Sequence, residues 1–381
     1  MKKTLLATAI SSVLSINSAA AMSVEERLAA MEQRISQLEN KVETQQQVID
    51  EKEREIDELK TAQSESGNQG GAGGWFQSVS MGGVIEVEAN RSKTDGAGTS
   101  SDLYVATAEL GISAQVNDWT SADMVLLYED GEDFVVDTAI ITIADPNSFW
   151  AVTAGKTVVP FGTYESYLLS DPLTLELGET GEDTVIAGFD YQGFNGGAYL
   201  YKGDIDSNDN DEIGSYGGWL GYARESDSLN YAATVGYTNN LGDSDTLGEL
   251  TAVTGMNNHV AAWHASLGMN FNNLSLIGEY VGASDSFAAN EIAPGSVKAK
   301  PSAYHLEGAY HFKLSDMDST FAIGYGETDE SADIDLAEKR IMTALSIGIM
   351  ENTSVSFEYA SEKAYTGVDT DTVTGQLAVE F

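Results

Sequence analysis

TVTGQLAVEF (Thr372–Phe381) closes the chain, and it alternates without a break. Val373, Gly375, Leu377, Val379 and Phe381 fall on one parity, and Thr374, Gln376, Ala378 and Glu380 on the other. A period of two is the signature of a strand whose two faces meet different surroundings. The fold follows from what the apolar face touches, so the rest of the chain is read for the same pattern.

From Trp75 onward the sequence predicts no helix and sixteen such segments: 76–90, 102–116, 119–129, 133–144, 148–157, 181–191, 193–202, 216–224, 228–239, 259–271, 273–284, 300–313, 318–328, 337–349, 352–362 and 371–381. Alternate connections are tight, as at Asn117-Asp118, Asn272-Asn273 and Glu351-Asn352. The other set includes long ones, at 157–180, 203–215, 240–258 and 285–299. Short turns at one end and long loops at the other are the pattern of a transmembrane antiparallel barrel. In 300–313, Tyr304, Leu306, Tyr310 and Phe312 oppose His305, Glu307, His311 and Lys313. Aromatic residues gather toward strand ends, where a bilayer has its two interfaces. The expected fold is therefore an all-β transmembrane barrel of about sixteen antiparallel strands, with TVTGQLAVEF against lipid. A soluble sandwich is the competing architecture, but it turns its apolar faces onto a shared core and has no reason to segregate loop length.

The N-terminal part is organised differently. Lys2 and Lys3, a short apolar stretch and Ala19-Ala20-Ala21 predict a signal peptide over 1–21. Residues 22–62 carry a heptad pattern, with Leu28, Ile35, Val42, Ile49 and Ile56 at a. Met31, Leu38 and Leu59 stand at d, with Gln45 and Lys52 as polar interruptions. So narrow a seam needs partner helices, which predicts a homo-oligomer joined through residues 24–59 by a coiled coil of about 50 Å. A trimer matches the symmetry of general porins, while the seam alone also accepts a dimer. Residues 63–75 are a Gly/Ser-rich linker and 76–381 the barrel.

The charge is −41, with 60 Asp and Glu against 19 Lys and Arg, and there is no cysteine. Such a chain repels nucleic acid. No disulfide holds it together, and no cofactor is expected. Alternation places Glu86, Glu88, Glu109, Asp123, Glu279, His305, Glu307, Arg340 and Glu358 on the inner face as pore-lining residues. Carboxylate rings favour cations; the competing reading is a solvated wall without a selective role.

The longest early loop, within TAGKTVVPFGTYESYLLSDPLTLELGET (Thr153–Thr180), is too apolar to stand in water. Folding into the lumen would make Lys156, Pro160, Phe161, Tyr164, Tyr167 and Asp171 a constriction. Packing over the rim or on a neighbouring subunit is the alternative.

Other chemistries lack residues that they need. His264, His305 and His311 lie on neighbouring strands with Glu279 and Glu307, but no spacing enforces a metal site. DIDSNDNDEI (Asp204–Ile213) starts like a calcium loop but has Asp209 where glycine is needed and Ser215 where glutamate is needed. His264 and Ser266 share a face, yet nothing in the sequence supplies an orienting group or oxyanion site, so the chain reads as no enzyme.

The heptad segment, the Gly-rich linker, WFQSVSMGGVIEVEAN and above all AGKTVVPFGTYESYLLSDPLTLELGET resemble the LbtU-type siderophore porins of Gram-negative bacteria. Related Pro-Phe-Gly segments also occur in phosphate-selective porins. The resemblance implies a plugless sixteen-stranded outer-membrane barrel, a periplasmic coiled coil, and iron uptake through ferric siderophores. The partners expected are outer-membrane lipid, lipopolysaccharide, and a small solute or ferric siderophore. The solute carried, the selectivity and the oligomer number are not fixed by the sequence. The alternatives are a general or phosphate/anion-specific porin and a structural envelope tether.

Overall fold

The computed structural model describes residues 76–203, 205, 212–226 and 228–381, without the side chains of 252–254. The signal peptide, heptad segment and linker lie outside the described residues, as does most of DIDSNDNDEI.

Sixteen antiparallel strands close into a barrel in which each strand pairs with its sequence neighbours and β1 pairs with β16. The first half comprises β1 (Ser78–Thr94), β2 (Gly98–Asn117), β3 (Thr120–Glu129), β4 (Val135–Ala144), β5 (Trp150–Val158), β6 (Gly181–Tyr191), β7 (Phe194–Tyr201) and β8 (Ser215–Arg224). The second comprises β9 (Leu229–Thr238), β10 (Ala262–Phe271), β11 (Leu274–Ala283), β12 (Ser302–Leu314), β13 (Met317–Asp329), β14 (Lys339–Met350), β15 (Thr353–Lys363) and β16 (Asp369–Glu380). All sixteen expected segments are strands, because alternation is the strongest local signal a barrel wall carries. Closure runs through TVTGQLAVEF itself, where Val379 faces Ile85 and Leu377 faces Val87. The backbone N–H of Phe381 donates to the carbonyl of Gly83 at 3.0 Å, so no edge is left open.

Among the described residues, the expectation of no helix after Trp75 is corrected by two α-helices and a 3-10 turn at Ala332–Ile334. Leu173–Gly178 forms a single-turn helix, α1, and Asp245–Thr254 forms α2. Both sit in long connections, where a few residues satisfy their own backbone groups without disturbing the strand pattern.

The two faces of the wall separate cleanly. Leu306 is 56% exposed on the outer face, and its neighbour His305 is 1% exposed on the inner one. The barrel therefore has an apolar exterior, and its buried core lies inside. Val159, Phe161, Leu173 and Leu177 of the segment after β5 join Leu241, Leu247, Phe287 and Ile292 of the later long connections in one apolar cluster.

Candidate functional site

The segment 159–180 lies inside the barrel, because inward carboxylates hold its backbone. Three strands supply them. On β11, Glu279 accepts from Thr163 N–H (3.0 Å), Thr163 Oγ1 (3.0 Å), Tyr164 N–H (3.1 Å) and Thr174 Oγ1 (2.8 Å). His264 Nε2 on β10 donates to the same carboxylate at 2.8 Å. On β12, Glu307 accepts from Tyr167 N–H (2.7 Å) and Ser166 Oγ (2.8 Å), with His305 Nε2 at 3.0 Å. On β15, Glu358 accepts from Leu169 N–H (2.7 Å), Ser170 N–H (3.1 Å) and Ser170 Oγ (2.5 Å). A loop without secondary structure must satisfy its amides somewhere, and a carboxylate accepting two N–H groups does so strongly.

Arg340 on β14 completes the anchorage. Its Nη1 donates to the carbonyl of Asp171 at 2.7 Å and pairs with Glu176 of α1, and its Nε pairs with Glu362 at 2.5 Å. Burying a guanidinium is costly unless its donors are used, and here they meet two carboxylates and a carbonyl.

Glycine makes the seat. A Cβ at Gly324 on β13 would come within 2.5 Å of Leu168 Cδ1, and one at Gly236 on β9 within 2.6 Å of the Phe161 carbonyl oxygen. At these positions the wall has no side chain, so the loop lies directly on it. Tyr164 takes a left-handed backbone (φ 52°), a conformation that costs a non-glycine residue on the order of 1 kcal/mol. The two N–H groups donated to Glu279 hold it there.

The predicted site residues fall into two groups. Glu279, Glu307, Arg340 and Glu358 face inward but are covered by the loop and bonded to it, while His305, equally buried, bonds to Glu307. Of the predicted constriction set, Phe161 is buried in the apolar cluster, while Tyr164 and Tyr167 turn their N–H groups to the same wall. Pro160 lies between Val159 and Phe161 at the loop's entry. Lys156 belongs to β5, ahead of the loop.

Glu86, Glu88, Glu109 and Asp123 lie on β1 to β3, which the loop's hydrogen bonds leave free. Glu88 accepts from Tyr104 Oη (2.8 Å) and Gln376 Nε2 (2.9 Å), both wall side chains. Glu86 lies in electrostatic reach of Glu88, Glu109 and Glu380. Asp123 faces Ser113 across β2 and β3.

Asp171 lies between the two groups. Its backbone carbonyl goes to Arg340, and its carboxylate senses both Arg340 and Glu88. Beside it, Glu179 is pushed up to about 7 by burial, and then by Asp245, Asp171, Asp137 and Glu129. Burial also raises the Asp245 carboxyl, against which the Gly181 N–H and the charge of Lys156 act. Acidic groups of the loop edge thus lie within electrostatic reach of acidic groups on β1, β3 and β4.

The histidines do not converge. His264 turns to Glu279 and His305 to Glu307, while His311 lies between Ser275 Oγ (2.8 Å) and Thr320 Oγ1 (3.0 Å). Among the described residues no group of three or more His, Cys, Asp or Glu is placed to hold a metal ion.

No protein-family model matches the chain. It is similar to the UPF0422 protein of Coxiella burnetii (strain RSA 493 / Nine Mile phase I), 27% identical over 307 residues, 76% of this chain and 65% of that one. A second relative is the UPF0422 protein lpg2959 of Legionella pneumophila subsp. pneumophila (strain Philadelphia 1 / ATCC 33152 / DSM 7513). It is 26% identical over 335 residues, 74% of this chain and 62% of that one. The chain thus spans under two thirds of the length of these relatives.

Among solved structures, the outer membrane channel DcaP of Acinetobacter baumannii superposes with a TM-score of 0.58 at 13% identity, over 80% of this chain and 97% of that one. The anion-selective porin from Comamonas acidovorans gives 0.57 at 16% identity, over 80% and 99%. OmpF of Salmonella typhi, in complex with daunomycin, gives 0.57 at 12% identity, over 80% and 97%. These likenesses establish the porin-like closed barrel fold.

Proposed function

We propose that the protein is an outer-membrane porin through which small solutes diffuse passively, with cations favoured. The observation that carries this is the one-sided docking of the loop. The segment 159–180 is bonded to β11, β12, β14 and β15, leaving the acidic inner face of β1 to β4 as the free wall. Sixteen strands enclose more space than wall side chains fill, so water occupies what the loop leaves. Arg340 is neutralised by Glu176 and Glu362, which removes it from the passage. Carboxylates then line both sides, and such a passage concentrates cations.

Iron uptake is the finer reading, and it rests on the resemblance of residues 153–180 and of the heptad segment to LbtU-type siderophore porins. An acidic passage repels anionic ferric chelates, so the solute it suits is a neutral or cationic complex. On this reading the barrel sits in the outer membrane among lipid and lipopolysaccharide, residues 22–62 stand in the periplasm as a coiled coil, and the assembly is a homo-oligomer, with three copies favoured.

A second reading has an observation of its own. An apolar cluster joins the loop to the later long connections, which suits a barrel serving as an anchor for an envelope tether. Liposome swelling separates the two. Purified protein should admit neutral sugars and cationic iron chelates faster than anionic chelates of equal size. Anionic chelates entering faster would contradict the acidic passage, and swelling no faster than in protein-free liposomes would leave the anchor.

A further inference from the structure

The outer face of β11 to β14 carries an open apolar groove of about 630 Å³. Leu276, Leu306, Ile323 and Ile341 line it, all exposed, with Tyr325 beside them. Its floor is Gly308, which pairs with Leu276 on β11 and with Ile323 on β13. A Cβ at Gly308 would meet Leu276 Cδ2 at 3.5 Å, an ordinary contact. The packing of the wall therefore does not call for glycine there. A glycine inside a strand also marks a place where a ligand approaches closely, and here the missing side chain leaves room for one.

Next to the groove, toward the long connections, two like charges meet. Lys339 at the start of β14 stands opposite Lys363 at the end of β15. Lys339 shares its face with the exposed Ile341, and Lys363 shares its face with the exposed Tyr359, so the pair is on the outer wall. Like charges directly opposite on neighbouring strands are destabilising. The carboxylates around them relieve this only weakly. Glu327 Oε1 is 3.7 Å from Lys339 Nζ, and Glu338 Oε2 is 3.8 Å from Lys363 Nζ. Exposed ion pairs of that kind contribute little. Asp369 faces Lys363 from β16. Glu327 accepts with its other oxygen from the hydroxyls of Tyr304 (2.7 Å) and Tyr325 (2.5 Å). Outward tyrosines in such a row mark the level of lipid headgroups.

We infer that the groove and the lysine pair form one binding site for a phosphorylated, multiply acylated lipid of the outer leaflet. An acyl chain lies in the depression at Gly308. A phosphate between Lys339 and Lys363 turns their repulsion into two charge-assisted contacts. Glu327, Glu338 and Asp369 flank that phosphate, and a magnesium ion held between carboxylate and phosphate joins the two. The inference rests on the outer-membrane reading above, in which lipopolysaccharide surrounds the barrel. It adds a seat for such a lipid on named strands.

The test titrates the full-length protein in detergent and magnesium with bisphosphorylated lipid A, and reads binding by native mass spectrometry. Dephosphorylated lipid A with the same acyl chains should bind about tenfold more weakly. The double variant K339Q/K363Q should weaken binding of the bisphosphorylated lipid by a similar factor. G308L, which fills the groove, should weaken it as well. R224Q, at the short-turn end of β8, should leave it unchanged. Equal binding of the two lipids overturns the inference, as does binding that ignores the lysine substitutions. Oligomers that dissociate in G308L while lipid binding is unchanged would assign the groove to a second copy, and that also overturns it. The comparison of the two lipids uses the unsubstituted protein, so it decides even where a variant fails to fold. Conductance of the same samples in phosphatidylcholine bilayers separates this inference from the porin reading. A conducting protein that ignores the lipid loses only the site, and a lipid-binding protein that does not conduct loses only the channel.

Discussion

The inner faces of β1 and β12 each carry a glutamate, and the two have opposite fates. Glu88 on β1 hydrogen-bonds to wall side chains, Tyr104 and Gln376. Glu307 on β12 is buried beneath a loop and spends its oxygens on the loop's Tyr167 N–H and Ser166 hydroxyl and on His305. An inward carboxylate is thus not in itself a pore residue. What decides is whether a neighbouring segment with unsatisfied N–H groups lies on it. On β11, β12 and β15 one does, and the carboxylates become structural. On β1 to β3 none does among the described residues, and these are the carboxylates proposed above to meet ions.

The comparison breaks most visibly at the anchored wall. Glu279→Leu removes the acceptor for two backbone N–H groups, two hydroxyls and a histidine at once. Buried donors left without an acceptor cost on the order of 1–3 kcal/mol each. The expected outcome is a loop that no longer docks, seen as larger and noisier single-channel conductance and as new protease cleavage within 159–180. Unchanged conductance would mean that the loop does not limit the passage.

A smaller effect is expected where glycine seats the loop. Gly324→Leu drives a side chain toward Leu168, and such overpacking costs typically 1–3 kcal/mol. Melting by heat-modifiability should move down. Gly308→Leu, on the neighbouring strand β12 but at an outward position near Leu276, should leave the melting unchanged.

At the free wall the signature inverts. Glu88→Lys should change stability by no more than about 0.5 kcal/mol, as surface substitutions do, yet it should shift the reversal potential in a salt gradient toward anions. A stability loss without a selectivity change would place Glu88 with the structural carboxylates.

The smallest effect is a pH dependence. Glu179 is pushed up to about 7, so protonation below that pH removes one negative charge from the loop edge. Cation preference should weaken as pH falls through 7, and Glu179→Gln should abolish the step. Stability follows the opposite sense from a salt-bridged acid. The folded state binds the proton more tightly than the unfolded chain, so this group's contribution is lost as pH rises from the ordinary carboxylate range to about 7 and is level above it. A Glu179→Gln barrel should show a flatter melting profile across that window.

Much of the fold is legible in the sequence because a barrel wall states its period locally. Tyr304, Leu306 and Tyr310 against His305, Glu307 and His311 need no long-range information. The apolar content of the segment after β5 likewise signals that it does not stand in water. What the sequence leaves hidden is non-local. Nothing near Glu358 announces that Leu169 and Ser170, nearly two hundred residues earlier, will donate to it. Helix α1 is a single turn, too short for a 3.6-residue period to register against noise. One local signal of the docking does exist: Gly324 and Gly326 occupy inward positions of β13 where other strands carry side chains. Gaps of that kind mark where another segment of backbone approaches.

The reversal potential of the purified protein in a planar bilayer under a potassium chloride gradient tests the proposed open acidic wall most directly. A potential displaced toward the potassium equilibrium value, and losing that displacement in Glu88→Lys, is the predicted result. A potential displaced toward the chloride value would contradict it.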